Sequence, residues 1–545
     1  MHFMVLVKKV MRRCRMLKTP ASSYRYMAHC RKAFAVPKPR GGRNEPVILM
    51  ELNQLRSAHI AYAYLAQVLT EQECARLVAY LPQTMPKWWI RLFFLIERTI
   101  KAGSIGVYHA LGADGFFEAR ASRAQKREAA GLFDRIWRQL ETKADIEALT
   151  IDGVVLGDLF YDTYLKTFSR PTIDKAQPEF INFLLECLGL YVFWRDYFNS
   201  HDVRAINVSH CVYNLAIPLR IAVARGIPAY QVSATHVYRL SSENLFAYND
   251  FKYFRERFRA LPVKAQTAGI AEAKRRIARR FGGEIGVDMV YSSKSAYGPA
   301  RHERLLRESP RKKILIATHC FFDSPHSYGN NVFPDFYEWL DFLGQMSERT
   351  DYDWYIKTHP DYLPGTMEII QGFIAKYPKF ALLPSDASHH QIVDEGVNVT
   401  LTVYGTIGFE YAALGVPVIN ASQVNPHIAY DFNVHAKNVD DYMHLLMKVD
   451  SLGLSIDRQS ICEYYFMRYI FNTEDLFFER YERMVSALGG YRAQFEPAVY
   501  DLWCDEWTPT RHAAILDALK KFVRSGDFRM DYTHFGRVTF REGQL

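Results

Sequence analysis

Two turns in the second half of the chain carry residues suited to binding phosphate. The first, Lys357-Thr-His359-Pro360, follows the predicted strand 353–358. Proline ends the strand and stiffens the turn, so Lys357 and His359 are held at the carboxyl end of a sheet. A cation and an imidazole at this place can bind a phosphate group, or protonate it as it leaves.

The second turn, 404–410, opens a predicted helix with the sequence Tyr-Gly-Thr-Ile-Gly-Phe-Glu. Gly405 and Gly408 let the backbone approach a ligand closely, and Thr406 stands where the helix begins. Free N–H groups and the positive helix end suit a phosphate, and Glu410 can accept hydrogen bonds from ribose hydroxyls. Either turn alone also fits a simple structural role, but the two together predict a nucleotide site.

The first half offers carboxylates for proton transfer. Asp158 and Asp162 follow the predicted strand 153–156. A carboxylate in such a place can take the proton from an attacking hydroxyl group. We predict Asp158 as this base, with Asp162 as the alternative. Asp162 also fits a helix cap for the segment that begins at residue 163.

Other polar residues follow strands and either face a ligand or act as turn residues. They are Gln231, Ser233, His236, His319 and Asp323. The loop 328–331 (Tyr-Gly-Asn-Asn) is predicted to be flexible and suited to closing over a ligand. We predict no metal site, because His389-His390 lacks a third ligand at suitable spacing and the Asp-Tyr-Asp run at 351–353 precedes a strand.

The elements that hold these residues alternate between strand and helix. In the second half the predicted strands are 313–318, 353–358, 380–383, 397–402 and 416–419, and the helices are 333–345, 367–376, 390–394 and 407–414. Such alternation requires crossover connections and therefore a parallel sheet covered on both faces.

The first half is predicted to have the same architecture. Its predicted strands are 59–68 (where a helix also fits), 104–108, 153–156, 203–209 and 227–232, with a helix at 214–225 closed by Gly226. The boundary is expected within 281–292, after a basic helix at 271–280. The predicted fold class is α/β, with two Rossmann-like, doubly wound domains facing a cleft where ligands bind.

The positive charge of the chain lies at its start. Residues 1–44 hold twelve Lys or Arg and no Asp or Glu, so subtracting twelve from the net charge of +9 leaves −3 for the rest. A near-neutral body argues against a nucleic-acid partner. We expect the leader 1–44 to be a disordered, solvated tail, an extension from a misassigned start, a patch that contacts anionic lipid, or a transit peptide.

Cysteine usage and hydropathy indicate a cytoplasmic protein. The eight cysteines are scattered without a CxxC pair, which fits a reducing compartment. No run is long enough to cross a membrane. The segment 86–100 is either a core helix or an interfacial helix, so a peripheral position on the inner face of the cell membrane is open.

The two phosphate-binding turns, with Gly415-Val-Pro417-Val-Ile419 after the second, resemble the donor domain of bacterial surface-polysaccharide glycosyltransferases of the GT-B type. The similarity covers about 310–420 and is greatest to capsule-type Kdo transferases with an HP motif. It implies that His359 and Thr406 contact the donor phosphate. It also favours CMP-sugars as donors. Many relatives have Ser-Ser or Ser-Thr where this chain has Gly405-Thr406, so UDP- and GDP-sugars stay open as donors.

The resemblance also implies a domain plan and a reaction. Residues 45–280 would bind a glycan or glycolipid acceptor, 285–489 the nucleotide-sugar donor, and 490–545 would form a helical clasp whose helix 511–523 crosses back to the first domain. Transfer would need neither a metal nor a further cofactor. The alternatives are a teichoic-acid-type polyol-phosphate transferase, a sugar-nucleotide 2-epimerase, and a non-catalytic scaffold in polysaccharide export.

Overall fold

The computed structural model contains two α/β domains, each built around a six-stranded sheet. It describes residues 19–34, 45–83, 88–289, 294–359, 362–452, 454–471, 476–478, 481 and 487–536. The strands are β1 (Val47–Glu51), β2 (Arg76–Leu81), β3 (Ala113–Glu118), β4 (Thr150–Ile151), β5 (Val154–Val155), β6 (Val203–Val208), β7 (Ala229–Val232), β8 (Val237–Leu240), β9 (Lys313–Ala317), β10 (Asp353–Lys357), β11 (Phe380–Leu382), β12 (Val399–Thr402), β13 (Val418–Asn420) and β14 (Val434–His435).

Both sheets have the strand order of a doubly wound fold. The first runs β3-β2-β1-β6-β7-β8, with β8 antiparallel to β7 and the other neighbours parallel. The second runs β11-β10-β9-β12-β13-β14 and is parallel throughout. The order reverses between β1 and β6 in one domain and between β9 and β12 in the other. Open α/β sheets bind ligands at these switch points, beyond the carboxyl ends of the strands. The predicted fold class is confirmed.

Helices cover both faces of each sheet. They are α1 (Ala21–Ala33), α2 (Arg56–Glu73), α3 (Trp88–Ile100), α4 (Gly103–Ala110), α5 (Arg123–Ile136), α6 (Lys143–Glu147), α7 (Gly157–Phe168), α8 (Pro178–Ser200), α9 (Ile217–Ala224), α10 (Phe254–Arg259), α11 (Val263–Phe281), α12 (Phe336–Arg349), α13 (Thr366–Lys376), α14 (His389–Asp394), α15 (Ile407–Ala413), α16 (Val439–Met447), α17 (Arg458–Tyr465), α18 (Ala498–Glu506) and α19 (Pro509–Ser525). Every strand and helix predicted for the second half is present, with ends shifted by a few residues.

The cores follow from the way strands alternate their side chains. In β1, Ile48 and Met50 pack on one face with α2, while Val47 and Leu49 pack on the other with α7 and α8. Strand β10 is buried at all five positions, as expected for a central strand of a parallel sheet covered on both faces.

The structure differs from the prediction at three predicted strands of the first half. Residues 59–68 lie in α2, the helix that also fitted this segment, while the predicted strand 104–108 is wrong because these residues lie in α4. The predicted strand 153–156 is present only as β5, which pairs with β4 in a separate antiparallel hairpin. Helix α2 is buried continuously from Ser57 to Thr70. Because its whole circumference is covered, its sequence shows no amphipathic period, and an apolar run of this kind resembles a buried strand.

Part of the basic leader belongs to the first domain, contrary to the expected tail. Helix α1 is built into the core, where the Tyr26 ring stacks on Tyr500 with ring centroids 4.3 Å apart. Arg25 pairs with Asp505 at 2.5 Å and Asp501 at 3.4 Å. Residues 1–18 and 35–44 lie outside the described residues, so the remaining interpretations of the leader stay predictions.

The chain returns to the first domain at its end, as predicted. Helix α19 packs on α2 and places Ile515, Leu519 and Phe522 in the first domain's core. Phe477 and Phe478 already belong to that core, so the chain crosses over before residue 489, the expected end of the second domain.

None of the helices in the described part of the chain combines the length and the apolar character needed to cross a membrane. The segment 86–100 supplies α3, in which Leu92, Leu95 and Ile100 are 48–59% exposed.

Candidate functional site

A cavity of about 360 Å³ opens at the switch point of the second sheet. The carboxyl ends of β9, β10 and β12 form its floor, and α11 and α15 form its walls. Five of the six residues predicted to bind a nucleotide line it: Lys357, His359, Gly405, Thr406 and Glu410. The sixth, Pro360, lies outside the described residues.

Lys357 places a cation inside this cavity. It is the last residue of β10, it is 3% exposed, and its Nζ donates to the Ser385 carbonyl oxygen at 3.0 Å. Burial lowers its pKa to about 8, while the negative charges of Asp386 and Glu410 oppose the shift. A bound phosphate would add negative charge and stabilise the protonated form further.

His359 stands at the rim of the cavity. It is exposed, two residues beyond the end of β10. Its charge contributes to lowering the pKa of His319 and of His389, so it lies within electrostatic reach of both rings. Because this imidazole is exposed, it is hydrated in the free protein and is also accessible to a phosphate that binds in the cavity.

The turn from β12 into α15 offers backbone donors. Gly408 and Phe409 donate their N–H groups to the carbonyl oxygens of Gly405 and Thr406. Among the described residues, the N–H groups of Thr406 and Ile407 have no such partner. The Gly405 N–H donates to Thr402 Oγ1 at 3.2 Å, and a Cβ at Gly405 would lie 2.9 Å from that oxygen. Glycine is therefore needed for the tight turn.

Gly408 has a different role from the one predicted. A Cβ there would lie 2.4 Å from Cε1 of His427 and 2.9 Å from Nδ2 of Asn433. Both neighbours are buried, and Gly408 does not line the cavity. Its small size lets α15 pack against the protein, so the expected close approach to a ligand is wrong at this position.

Glu410 is paired within the protein. Its Oε1 accepts a short hydrogen bond from Nη2 of Arg280, the penultimate residue of α11. Burial lowers the pKa of Arg280, but the charge of Glu410 outweighs it and the net shift is upward. The prediction that Glu410 accepts from ribose hydroxyls stays a prediction, since Arg280 already occupies one oxygen.

Three polar atoms of the cavity wall have no hydrogen-bond partner within the described part of the chain. They are Nη1 of Arg280, the hydroxyl of Tyr297 and Oγ1 of Thr366. Tyr297 and Thr366 are 6% and 2% exposed. Buried polar groups nearly always have a partner, so these atoms are suited to meeting a polar ligand. Sequence analysis missed all three. Arg280 and Thr366 stand at or next to the ends of predicted helices, which was their only signal, and Tyr297 had none.

His319 is a structural part of the same turn. Its Nε2 accepts from the Val403 N–H at 3.2 Å and lies 3.1 Å from Thr402 Oγ1, while its ring stacks on Phe336. A backbone N–H can only donate, so Nε2 carries no proton. Burial lowers the pKa of His319 to about 3, and His359 acts in the same direction.

The two predicted bases lie elsewhere, in the first domain. Asp158 is 2% exposed in the first turn of α7, where its two oxygens accept from Arg220 at 3.2 and 2.5 Å. It does not follow a sheet strand, because the preceding strand is part of the small hairpin. Since both carboxylate oxygens are engaged in a buried ion pair, Asp158 is not available as a base, contrary to the expectation.

Asp162 is also buried, and its partners come from the second domain. It is 1% exposed, lies 2.5 Å from Nδ1 of His326 and accepts a short hydrogen bond from Ser324. Nε2 of His326 lies 3.1 Å from Glu147 Oε1. Asp162 therefore joins the domains and does not face an open space.

The remaining predicted positions are accounted for by contacts inside the protein. His236 Nδ1 lies 3.0 Å from Ser233 Oγ, and its Nε2 lies 3.2 Å from the Tyr248 hydroxyl. Gln231 is 1% exposed. Asn331 donates to the Pro325 carbonyl at 2.6 Å and accepts from Ser422 at 2.7 Å, which anchors the loop expected to be flexible.

The histidine pair of α14 is likewise bound within the protein. His389 Nδ1 lies 2.8 Å from the Tyr411 hydroxyl, and His390 Nε2 lies 2.8 Å from the Phe281 carbonyl. Over the described ranges, no three His, Cys, Asp or Glu side chains are grouped so as to hold a metal ion.

One exposed cluster was only partly foreseen. Asp323, which was predicted to follow β9, accepts a short hydrogen bond from Tyr213 and lies 3.4 Å from Lys166 Nζ. His210 lies beside these charges at the end of β6. The predicted strand 203–209 was the available signal, because His210 is the next residue.

No family model and no curated protein sequence matches this chain. Among solved structures, similar ones include two from Thermosulfurimonas dismutans, the KpsC β-Kdo 2,4 transferase and the KpsC β-Kdo 2,7 transferase. Each is 12% identical with a TM-score of 0.29; they cover 49% and 55% of this chain, and 81% and 85% of their own. A UDP-GlcNAc 2-epimerase from Neisseria meningitidis is 8% identical, with a TM-score of 0.21, over 77% of this chain and 97% of its own.

Proposed function

We propose that this chain is a glycosyltransferase that takes a sugar from a nucleotide donor bound in the second-domain cavity. The observation that carries the proposal is the buried ammonium group of Lys357 at the switch point of a Rossmann-like sheet. Lys357 has no ion-pair partner among the described residues. Burying an unpaired cation costs free energy, and a bound anion would offset that cost.

The cavity's groups suit the parts of a nucleotide. Lys357 and the N–H groups of Thr406 and Ile407 would hold the phosphate, with His359 adding a hydrogen bond from the rim. The unpartnered atoms of Arg280, Tyr297 and Thr366 would meet the ribose or the base. As the sugar leaves, negative charge develops on the phosphate oxygen, and fixed donors stabilise that charge.

CMP-sugars are the favoured donors because of the sequence resemblance, with UDP- and GDP-sugars as the alternatives. The acceptor would be a glycan or glycolipid of a growing cell-surface polysaccharide, bound by the facing domain. No metal and no cofactor other than the nucleotide-sugar enters this proposal.

The test is a thermal-shift series with CMP, CDP, UDP, GDP and ADP on the wild type, His359→Ala and Lys357→Met. We expect one nucleotide to stabilise the wild type, by about 2.7 kcal/mol at a hundred times its Kd. Both variants should lose most of that shift, and a variant of an exposed histidine that does not line the cavity, His302→Gln, should keep it. No shift with any nucleotide would favour a glycan-binding scaffold instead.

We also propose that helix α3 makes peripheral contact with an anionic membrane. Its exposed apolar residues Leu92, Leu95 and Ile100 are accompanied by the exposed cation Arg98, and exposed Lys101 follows directly after the helix. Apolar and basic groups on and next to one short helix suit the lipid interface. Sedimentation with vesicles of phosphatidylglycerol and phosphatidylethanolamine should bring down the wild type and leave Leu95→Glu in solution. Equal recovery of the two would end this proposal.

A further inference from the structure

The first domain has its own switch point, between β1 and β6. Strand β6 ends at Val208, and His210 follows two residues later. In open sheets this position is where a ligand binds. His210 is exposed, and one charge from each domain acts on its pKa, Lys166 from the first and Asp323 from the second.

A bridge of three polar side chains crosses the gap between the domains beside His210. Lys166 Nζ lies 2.9 Å from the Tyr213 hydroxyl and 3.4 Å from Asp323 Oδ1, and Tyr213 donates to the same carboxylate. The Lys166 and Asp323 side chains are 57% and 56% exposed, so the bridge is open to solvent and to a bound molecule.

This bridge adjoins the wall of the nucleotide cavity. Cys320 lines the cavity, and its carbonyl oxygen accepts from the Asp323 N–H at 3.3 Å. Burial raises the pKa of the Cys320 thiol; the charge of Asp323 raises it further and that of Lys166 lowers it. Both charges therefore act within the cavity wall, and a sugar leaving a bound nucleotide would be close to them.

The backbone at Tyr213 is strained. Its φ of 61° and ψ of 176° fall in a region that is almost confined to glycine. The surrounding contacts hold this conformation, including the Asn214 N–H donated to Thr163 Oγ1 at 2.8 Å. Such outliers concentrate at functional sites. The strain aims the Tyr213 ring across the gap to Asp323.

His210 is the group in this cluster that is free to take a proton. No described residue forms a hydrogen bond with its ring. Partial loss of hydration among neighbouring protein atoms lowers its pKa most, the positive charge of Lys166 lowers it further, and Asp323 opposes the shift. The third facing group, His236, is itself neutral because burial lowers its pKa to about 3. At neutral pH the His210 imidazole is thus uncharged, with a nitrogen lone pair available.

The neighbouring carboxylates are less suited to that role. Asp158 and Asp162 are buried and paired. Asp323 already accepts from Tyr213 and Lys166, and although burial raises its pKa, these partners produce a net lowering. A general base works best when its pKa is near the working pH, which favours the imidazole.

We propose that His210 is the general base of the transfer, and that Lys166, Tyr213 and Asp323 are positioning residues that hold the acceptor beside it. This inference rests on the proposed glycosyl transfer. An unprotonated ring nitrogen of His210 takes the acceptor's hydroxyl proton, and the acceptor oxygen bonds to the anomeric carbon. The bond from that carbon to the phosphate oxygen breaks, and its electron pair leaves with the nucleotide. A single displacement of this kind inverts the anomeric configuration.

The test compares His210→Gln with His302→Gln in release of CMP from CMP-Kdo, of UDP from UDP-GlcNAc and of GDP from GDP-mannose, with and without a lipopolysaccharide acceptor. For the donor that the wild type uses, we expect kcat of His210→Gln to fall about 10²- to 10⁴-fold. CMP, UDP or GDP should still raise its melting temperature as in the wild type. A kcat of His210→Gln within twofold of the wild type would overturn the assignment while leaving the proposed function standing.

A second measurement addresses His210 without any turnover. Diethyl pyrocarbonate acylates uncharged, accessible imidazoles, and mass spectrometry locates the modified histidines. Between pH 5 and 8 we expect His210 to react readily, with a midpoint below 6.5, the ordinary pKa of histidine. Tyr213→Phe, which loses its bond to Asp323, should change kcat and this midpoint together. Protection of His210 at all pH values, or a midpoint above 6.5, would overturn the inference even if no donor were turned over.

Discussion

Nδ1 of His326, in the second domain, lies 2.5 Å from Oδ1 of Asp162, in the first. Both side chains are 1% exposed, and Glu147 completes the arrangement at 3.1 Å from Nε2. A buried imidazolium between two carboxylates therefore joins the two domains. Its removal would leave two buried acids without a cation.

We predict that His326→Gln destabilises the protein by about 3–5 kcal/mol, the usual cost of removing one partner of a buried ion pair. Urea unfolding followed by tryptophan fluorescence measures the effect. His302→Gln should stay within about 0.5 kcal/mol of the wild type, because its side chain is exposed. An equally small change for His326→Gln would show that the arrangement contributes little to stability.

The same group predicts how stability depends on pH. Burial alone lowers the pKa of His326, but the charges and hydrogen bonds of Asp162 and Glu147 outweigh it and raise the pKa to about 10. Because the folded pKa lies above the unfolded value of 6.5, this contribution is complete below pH 6.5 and is lost as the pH rises towards 10. The wild-type midpoint in urea should fall over this range. An identical slope in His326→Gln would contradict the prediction.

The Asp158–Arg220 pair gives a test that separates a structural carboxylate from a base. Asp158→Asn alone should cost about 3–5 kcal/mol, since it leaves a buried guanidinium without its countercharge. The double variant Asp158→Asn/Arg220→Met removes both charges and should recover much of that stability. If Asp158 is structural, the double variant keeps kcat within about tenfold of the wild type. A stable double variant with a collapsed kcat would restore Asp158 as the base.

Nucleotide binding should weaken at alkaline pH. The pKa of Lys357 is lowered to about 8, so its positive charge disappears above that pH while the phosphate remains an anion. The Kd measured by calorimetry should rise up to about tenfold per pH unit above 8. Lys357→Met should bind about 10- to 100-fold more weakly at pH 7, as expected for a lost charged hydrogen bond, and show no such rise. A pH-independent wild type would exclude Lys357 as the phosphate contact.

The packing of α15 can be tested by comparing alanine substitutions at two helical glycines, Gly408 in α15 and Gly372 in α13. Gly408→Ala should destabilise by about 1–3 kcal/mol, because the added Cβ meets His427 at 2.4 Å. Gly372→Ala in α13 meets nothing within 4 Å and should stabilise by up to about 1 kcal/mol through its better helix propensity. Thermal unfolding of the two variants checks both signs. A neutral Gly408→Ala would mean that α15 moves easily.

The strand–helix alternation after residue 312 was sufficient to predict the second domain, because each amphipathic period there is intact. The cavity was predictable for the same reason. Lys357, Gly405 and Thr406 stand at the ends of consecutive parallel units, and the strand order brings such ends together. The first domain was harder to predict, since α2 and α4 are buried so completely that their helical periods disappear.

The sequence by itself determined the α/β class, the second-domain elements and the phosphate-binding turns, because these depend on local periodicity and turn chemistry. Only the tertiary structure decided which charges meet. Asp158 with Arg220, Asp162 with His326 and Glu410 with Arg280 are 62, 164 and 130 residues apart. Residues so far apart in sequence come into contact only when the chain folds, and burial away from water then favours pairing of the opposite charges. The same is true of the cluster at His210, whose members Lys166, His210, Tyr213 and Asp323 come from three separate segments of both domains.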